Sequence, residues 1–282
     1  MNIPYPSLLL FLLLSCQAIS AIDSQEQAKL DIERELFPGQ YQTIDAAGQQ
    51  VLVIIKENTN AIPRGVAIMM GEAGRSILSQ NGLAPLAHKL NRLGWVTMLM
   101  QTPDIGLGLP STEQKTDAPQ GSTTTTVFAK SVADRIDPQK FLEHEQQLIS
   151  QMGAILEKSA DYPGFFLVIS QGTTAAWLAK IYAQNKLNTP DAFVAISPYW
   201  PSREHNMQIA DYIAVTGMPV LDLYNAWDNE WSLQSYPARQ IAATKMLKLH
   251  YRQREIIGLA IHNQQAEYLS KEIYGWLSYM GW

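Results

Sequence analysis

Five short apolar runs constrain what this chain can fold into. Gly65–Met70 (GVAIMM), Trp95–Met100 (WVTMLM), 165–169 (FFLVI), Ala192–Ile196 (AFVAI) and 219–224 (PVLDLY) are each five or six residues long. Apart from the Trp95 indole N–H, Thr97, Asp222 and the Tyr224 hydroxyl their side chains carry no polar group. Strands with one wet face alternate apolar and polar residues, whereas unbroken runs this short mark strands buried on both faces. The intervening segments have helical spacing. Leu83, Leu86, Ala87, Leu90 and Leu93 share one face, as do Phe141, Leu142, Leu148, Ile149, Met152 and Ile155. A further helix is expected over 174–183, and Ala266, Leu269, Ile273, Trp276, Leu277 and Met280 define a closing one. Strands alternating with helices predict an α/β fold with a mostly parallel central sheet covered by helices on both faces. A hairpin across Ala46-Ala47-Gly48 precedes these units, and residues 246–253 read as the last strand.

At 282 residues the chain has room for one large domain or two small ones. Hydrophobic residues make up 46% and charged residues 17%, which argues against extensive disorder. A net charge of −5 argues against a nucleic-acid partner. The single cysteine, Cys16, excludes an intrachain disulfide and a cysteine-based zinc site. His88, His144, His205, His250 and His262 form no HExxH or HxH pattern, so neither a metal nor another cofactor is expected.

The first 22 residues carry no charged side chain and include LLLFLLL at 8–14. This block is too short to span a bilayer and has the length of a secretory apolar core. Residues 1–21 are therefore expected to be a signal peptide, cleaved after Ser20 or Ala21. Leu13-Leu14-Ser15-Cys16 also resembles a lipoprotein box, with 1–15 as the signal and Cys16 as the lipidated residue; ordinary cleavage is favoured. Either route predicts export to the periplasm or anchoring to the envelope, with no transmembrane span in the mature chain. A helical segment is expected at 22–40 and one domain at 41–282. A mobile loop at 104–130 is expected because 110–126 holds no large apolar residue.

Functional groups in open α/β sheets gather beyond the carboxyl ends of the strands. After Met70 stands Gly71-Glu72-Ala73-Gly74-Arg75-Ser76, which lacks the GxxxxGK[ST] pattern of a phosphate loop and reads as a tight turn. After Ile169 stands Ser170-Gln171-Gly172-Thr173-Thr174, a strand, a sharp turn and a helix start. Asp228 follows the run 219–224 at a distance of four residues, and His262 precedes the closing helix. This order of turn, acid and histidine resembles the α/β-hydrolase superfamily over residues 40–282. The PVLDLY run, the YRQ at 251–253 and the short closing helix resemble a bacterial family of exported α/β-hydrolase-like proteins of unknown function.

The resemblance implies Asp228 and His262 as the acid and histidine of a triad, and Gly71, Glu72 and Thr173 as oxyanion-loop positions. It also exposes departures. The superfamily turn reads G-x-S-x-G, and the matching register puts Gly172, which has no side chain, at the nucleophile. Met70-Gly71 stands where a His-Gly pair is common. Ser170 is a candidate nucleophile only in a shifted register, and Thr173 is most simply a helix cap or first-turn residue. The leading expectation is an exported hydrolase-fold protein with a degenerate site, binding an unknown small molecule or envelope component. Two alternatives stay open. One is a serine ester or acyl hydrolase using Ser170, His262 and Asp228. The other is a saccharide-binding protein presenting Tyr199, Trp200, Trp227 and Trp231, aromatics that ordinary packing would equally explain.

Overall fold

The computed structural model describes residues 24–79, 81–104, 137–258 and 263–282. The expected signal peptide with Cys16, nearly all of the 104–130 loop, and His262 lie outside the described residues. Among the described residues eight strands form one sheet: β1 (Gln42–Ala46), β2 (Gln49–Lys56), β3 (Gly65–Met70), β4 (Trp95–Met100), β5 (Phe165–Gln171), β6 (Ala192–Ile196), β7 (Val220–Asn225) and β8 (Tyr251–Ile256). Their spatial order is β1-β2-β4-β3-β5-β6-β7-β8. The β1–β2 and β2–β4 pairs are antiparallel and the remaining pairs parallel. The hairpin turn puts Ala47 at φ 54° and Gly48 at φ 86°, the left-handed pair that a two-residue hairpin requires. Asp45 Oδ1 accepts from the Gly48 amide at 2.6 Å and closes it.

Among the described residues seven α-helices surround the sheet: α1 (Ser24–Glu35), α2 (Ala84–Arg92), α3 (Pro138–Ser159), α4 (Gly172–Ala183), α5 (Arg203–Val215), α6 (Glu230–Lys245) and α7 (Ala266–Tyr279). The two-residue period of the strands sorts their side chains into two cores. Val66, Ile68, Met70, Val168 and Ala195 face one core, where Leu148 and Met152 of α3, nearly all of α4, and Ile209 and Ile213 of α5 cover them. Ala67, Met69, Leu167, Ile169, Val194 and Ile196 face the other, under Ile32 of α1, Leu86 and Leu90 of α2, and Leu269 and Trp276 of α7. Burial on both faces is why these strands read as unbroken apolar runs. Met70 pairs with both Met100 and Ser170, so β3, β4 and β5 end level at one rim.

Two stretches differ from the sequence expectation. The last strand starts at Tyr251, not at 246, because Leu247 and His250 take positive φ (50° and 56°) and turn the chain. Met246, Leu247 and Leu249 are exposed there, so their apolar character does not signal a strand. The second stretch is α6, which carries no helical period of apolar residues. It buries Ser232, Ser235 and Arg239, and it contains Pro237.

Candidate functional site

The turn from β5 into α4 sits at the centre of the rim. The strand ends at Gln171 and the helix begins at Gly172, whose φ of +61° is left-handed. Glycine takes that conformation without steric penalty. It is needed for a second reason: a Cβ at position 172 would lie 2.8 Å from Cγ and Cδ of Glu72 and 2.9 Å from its Oε1. The Glu72 side chain therefore fills the space that a side chain at the turn would use. Glu72 is 8% exposed. The Tyr199 hydroxyl donates to its Oε1 at 2.5 Å, and Arg75 Nε pairs with its Oε2 at 2.9 Å. Burial pushes the Tyr199 phenol well up, and the charges of Glu72 and Asp228 push the same way, so it stays a donor.

The surrounding loops fix this arrangement. Thr102 Oγ1 donates to the Gly71 carbonyl at 2.8 Å. Gln101 Oε1 accepts from the Ile77 amide at 3.1 Å, while its Nε2 donates to the Arg75 carbonyl at 2.8 Å. The Gly71–Glu72 loop is thereby tied to the end of β4. Tyr199 arrives from the end of β6, where Ser197 takes φ 50° and donates its amide to the Leu223 carbonyl at 2.7 Å. A non-glycine residue in that region is uncommon and marks a turn held by its surroundings.

Asp228 stands on the same rim. Asn225, at the end of β7, donates Nδ2 to the carbonyls of Ile256 (3.0 Å) and Gly258 (2.6 Å), bracing β7 against the segment after β8. Its Oδ1 accepts from the Trp227 amide at 2.7 Å, and its carbonyl accepts from the Asp228 amide at 3.1 Å. Asp228 Oδ1 accepts from the Asn229 amide at 2.8 Å. Its Oδ2 is enclosed and has no hydrogen-bond partner among the described residues, an acceptor left open for a donor. Gln265 ties the start of the closing helix back to the Ile257 carbonyl at 3.0 Å, and His262 lies in the undescribed span between.

The other candidates lie elsewhere. Ser170 pairs with Met70 and Ala195 inside the sheet, shares the face of Val168, and is fully buried, its Oγ without a hydrogen-bond partner among the described residues. Thr173 occupies the first turn of α4, buried; the capping position belongs to Gln171, whose side chain makes no cap bond. Trp200 is fully buried, packed edge-on against Trp177 and Phe141 at 5.5 and 5.1 Å. Trp227 is 75% exposed, and Trp231 is half-buried with its carbonyl bonded to Asn206 Nδ2. These aromatics therefore sit in separate settings. Among the described residues no group of three or more His, Cys, Asp or Glu side chains is placed to hold a metal.

Sequence reading missed the partnership of Glu72 with Tyr199 and Arg75, and the bracing by Asn225. The available signal was positional: Tyr199 and Asn225 both stand at strand ends on the functional rim. The PVLDLY and YRQ segments meet away from the turn. Asp222 Oδ2 accepts from Arg239 Nε, Tyr251 hydroxyl and Gln253 Nε2, each at 2.8 Å. Asp222 and Arg239 are both fully buried. Those two segments thus form a polar brace joining β7, β8 and α6.

A family model described as protein of unknown function (DUF3530) matches residues 15–279. The chain belongs to the DUF3530 family. No curated protein sequence matches it significantly. Solved structures similar to this DUF3530 protein include the esterase domain of a Rhodothermus marinus protein, at 10% identity and TM-score 0.56, covering 84% of this chain and 96% of that one. Est1E from Butyrivibrio proteoclasticus is similar at 10% identity and TM-score 0.56, covering 85% and 98%. A dienelactone hydrolase from Anabaena variabilis is similar at 13% identity and TM-score 0.55, also covering 85% and 98%. At such identities the likeness is one of fold, and the DUF3530 protein has an α/β-hydrolase fold. Among its described residues no helix is long and apolar enough to cross a membrane.

Proposed function

We propose that this DUF3530 protein is an exported envelope protein that uses the α/β-hydrolase fold as a binding or accessory scaffold, with a degenerate catalytic site. The observation that carries this reading is the turn at Gly172, where Glu72 occupies the space of a nucleophile side chain. Acyl transfer in this fold needs an oxygen at the strand-to-helix turn, a neighbouring histidine to take its proton, and an acid to orient that histidine. Asp228, with its open Oδ2, suits the role of the acid, and chain order suggests His262 as the histidine. An acid and a histidine without the oxygen cannot form an acyl-enzyme. Ser170 is a poor substitute, because it is buried within β5 beneath α4. Export is supported by the uncharged apolar leader and the small residues that follow it.

The test is a serine-directed phosphonate probe together with an activated ester. The expected result is no covalent labelling and no burst. Stoichiometric labelling at Ser170, lost in Ser170→Ala and His262→Ala, would overturn the reading and make the protein an acyl hydrolase. Mass spectrometry of envelope fractions is expected to find a mature N-terminus at Cys16, Ala21 or Ile22. A cytoplasmic pool retaining Met1 would overturn the export part.

A further inference from the structure

A cleft of about 300 Å³ opens on the same rim, beside β4 rather than at the Gly172 turn. That volume is at the small end of the range for ligand pockets. Because β2 runs antiparallel to β4, the start of β2 and the end of β4 meet there, and α1 and α3 close the sides. Ile32 and Leu52 supply an apolar wall. The polar lining consists mostly of amides: Gln49 and Gln50 at the start of β2, Gln101 at the end of β4, and Gln151 on α3. Gln151 is 4% exposed, and its Oε1 has no hydrogen-bond partner among the described residues. An enclosed acceptor without a donor costs stability, and at the wall of a cleft a bound donor would relieve that cost. Lys29 is the only charged residue among the described residues lining the cleft, in a chain of net charge −5.

We infer that this cleft binds a small hydroxylated carboxylate, of the size and chemistry of a sugar acid. The Gln101 amide is committed to the Gly71–Ile77 loop, but the side-chain amides of Gln49, Gln50 and Gln151 can donate and accept, which suits hydroxyl groups that do the same. The Lys29 ammonium supplies a charge-assisted bond to a carboxylate. The apolar wall suits the C–H face of a ring. The cleft is separate from the Gly172 turn, so the inference holds whether or not that turn is catalytically silent. The two are linked through one strand end, since Gln101 and the neighbouring Thr102 also hold the Gly71–Ile77 loop.

The experiment is calorimetric titration of the exported chain with sodium glucuronate, compared with glucose and with acetate. Saturable binding of glucuronate is expected, at least about tenfold tighter than either comparison compound, the equivalent of losing one good polar contact. Lys29→Ala should reduce glucuronate binding to the level of glucose. Gln151→Leu should weaken binding of both sugars without lowering the thermal midpoint, because the amide oxygen it removes has no partner to lose among the described residues. Lys29 is exposed, so its variant reports on binding even if Gln151→Leu fails to fold. Asp228→Asn should leave glucuronate binding unchanged. Absence of saturable glucuronate binding, affinity untouched by Lys29→Ala, or affinity lost in Asp228→Asn would each overturn the assignment.

Discussion

Gly172 is constrained twice, by its backbone and by its neighbour, and the two constraints are experimentally separable. In Gly172→Ala the left-handed φ of +61° penalises any Cβ, by roughly 1–3 kcal/mol. The same Cβ displaces Glu72 from Tyr199 and Arg75. Urea unfolding of Gly172→Ala is expected to show a loss at least as large as the backbone penalty, and a smaller loss when the substitution is made in a Glu72→Gly background. Equal losses in the two backgrounds would mean that the Glu72 contact carries no weight. His144 offers a second test. It is 2% exposed, packs edge-on to Trp177 at 4.4 Å, and neither ring nitrogen has a hydrogen-bond partner among the described residues. Burial lowers its pKa from 6.5 to about 3, against a weaker opposing pull from Asp104. Between those values the unfolded chain binds a proton that the folded chain excludes. The contribution to stability is therefore complete above pH 6.5 and is lost as the pH falls toward 3. Denaturant midpoints measured from pH 7 to pH 4 should fall on the acid side, and His144→Leu should flatten that part of the slope.

Among the elements, the junction of β7, β8 and α6 depends most on one pair of charges. Asp222 and Arg239 are both fully buried, and Tyr251 and Gln253 add their donors to the same carboxylate oxygen. Removing one member leaves the other charge enclosed, so Asp222→Ala should lose about 3–5 kcal/mol in chemical denaturation. Replacing both, Asp222→Leu with Arg239→Met, should recover most of that loss. The same junction shows why some elements were legible in the sequence and others were not. β3, β4, β5 and β6 could be read because burial on both faces strips them of polar residues. α6 could not, since beside Ala243 what it buries is polar: Ser232, Ser235 and Arg239, with Ser235 bonded to the Ser232 carbonyl and Arg239 bonded to Ser235 and Asp222. The turn at Gly172 was legible as a strand end followed by glycine. Its occupant was not, because Glu72 and Gly172 are brought together only by the β3–β5 pairing.

Across the whole molecule, order should decline from the middle of the sheet outward. β3 and β5 pair on both sides and lie between both cores, whereas β1 and β8 each have one neighbour and keep exposed residues. Amide exchange is expected to be slowest in β3, β5 and β6 and fastest in β1 and β8. Comparable protection throughout β8 and β5 would indicate that the β8 edge is covered in solution. The filled turn at the centre of this sheet also bears on descent. A lineage acquiring serine at position 172 while Glu72 stays in place meets a collision before it gains an oxygen. The opposite order, loop first and turn second, passes through a protein with an emptied pocket and no nucleophile. On the proposed reading of this turn, neither single substitution would by itself restore acyl transfer, so activity is expected only when positions 72 and 172 change together.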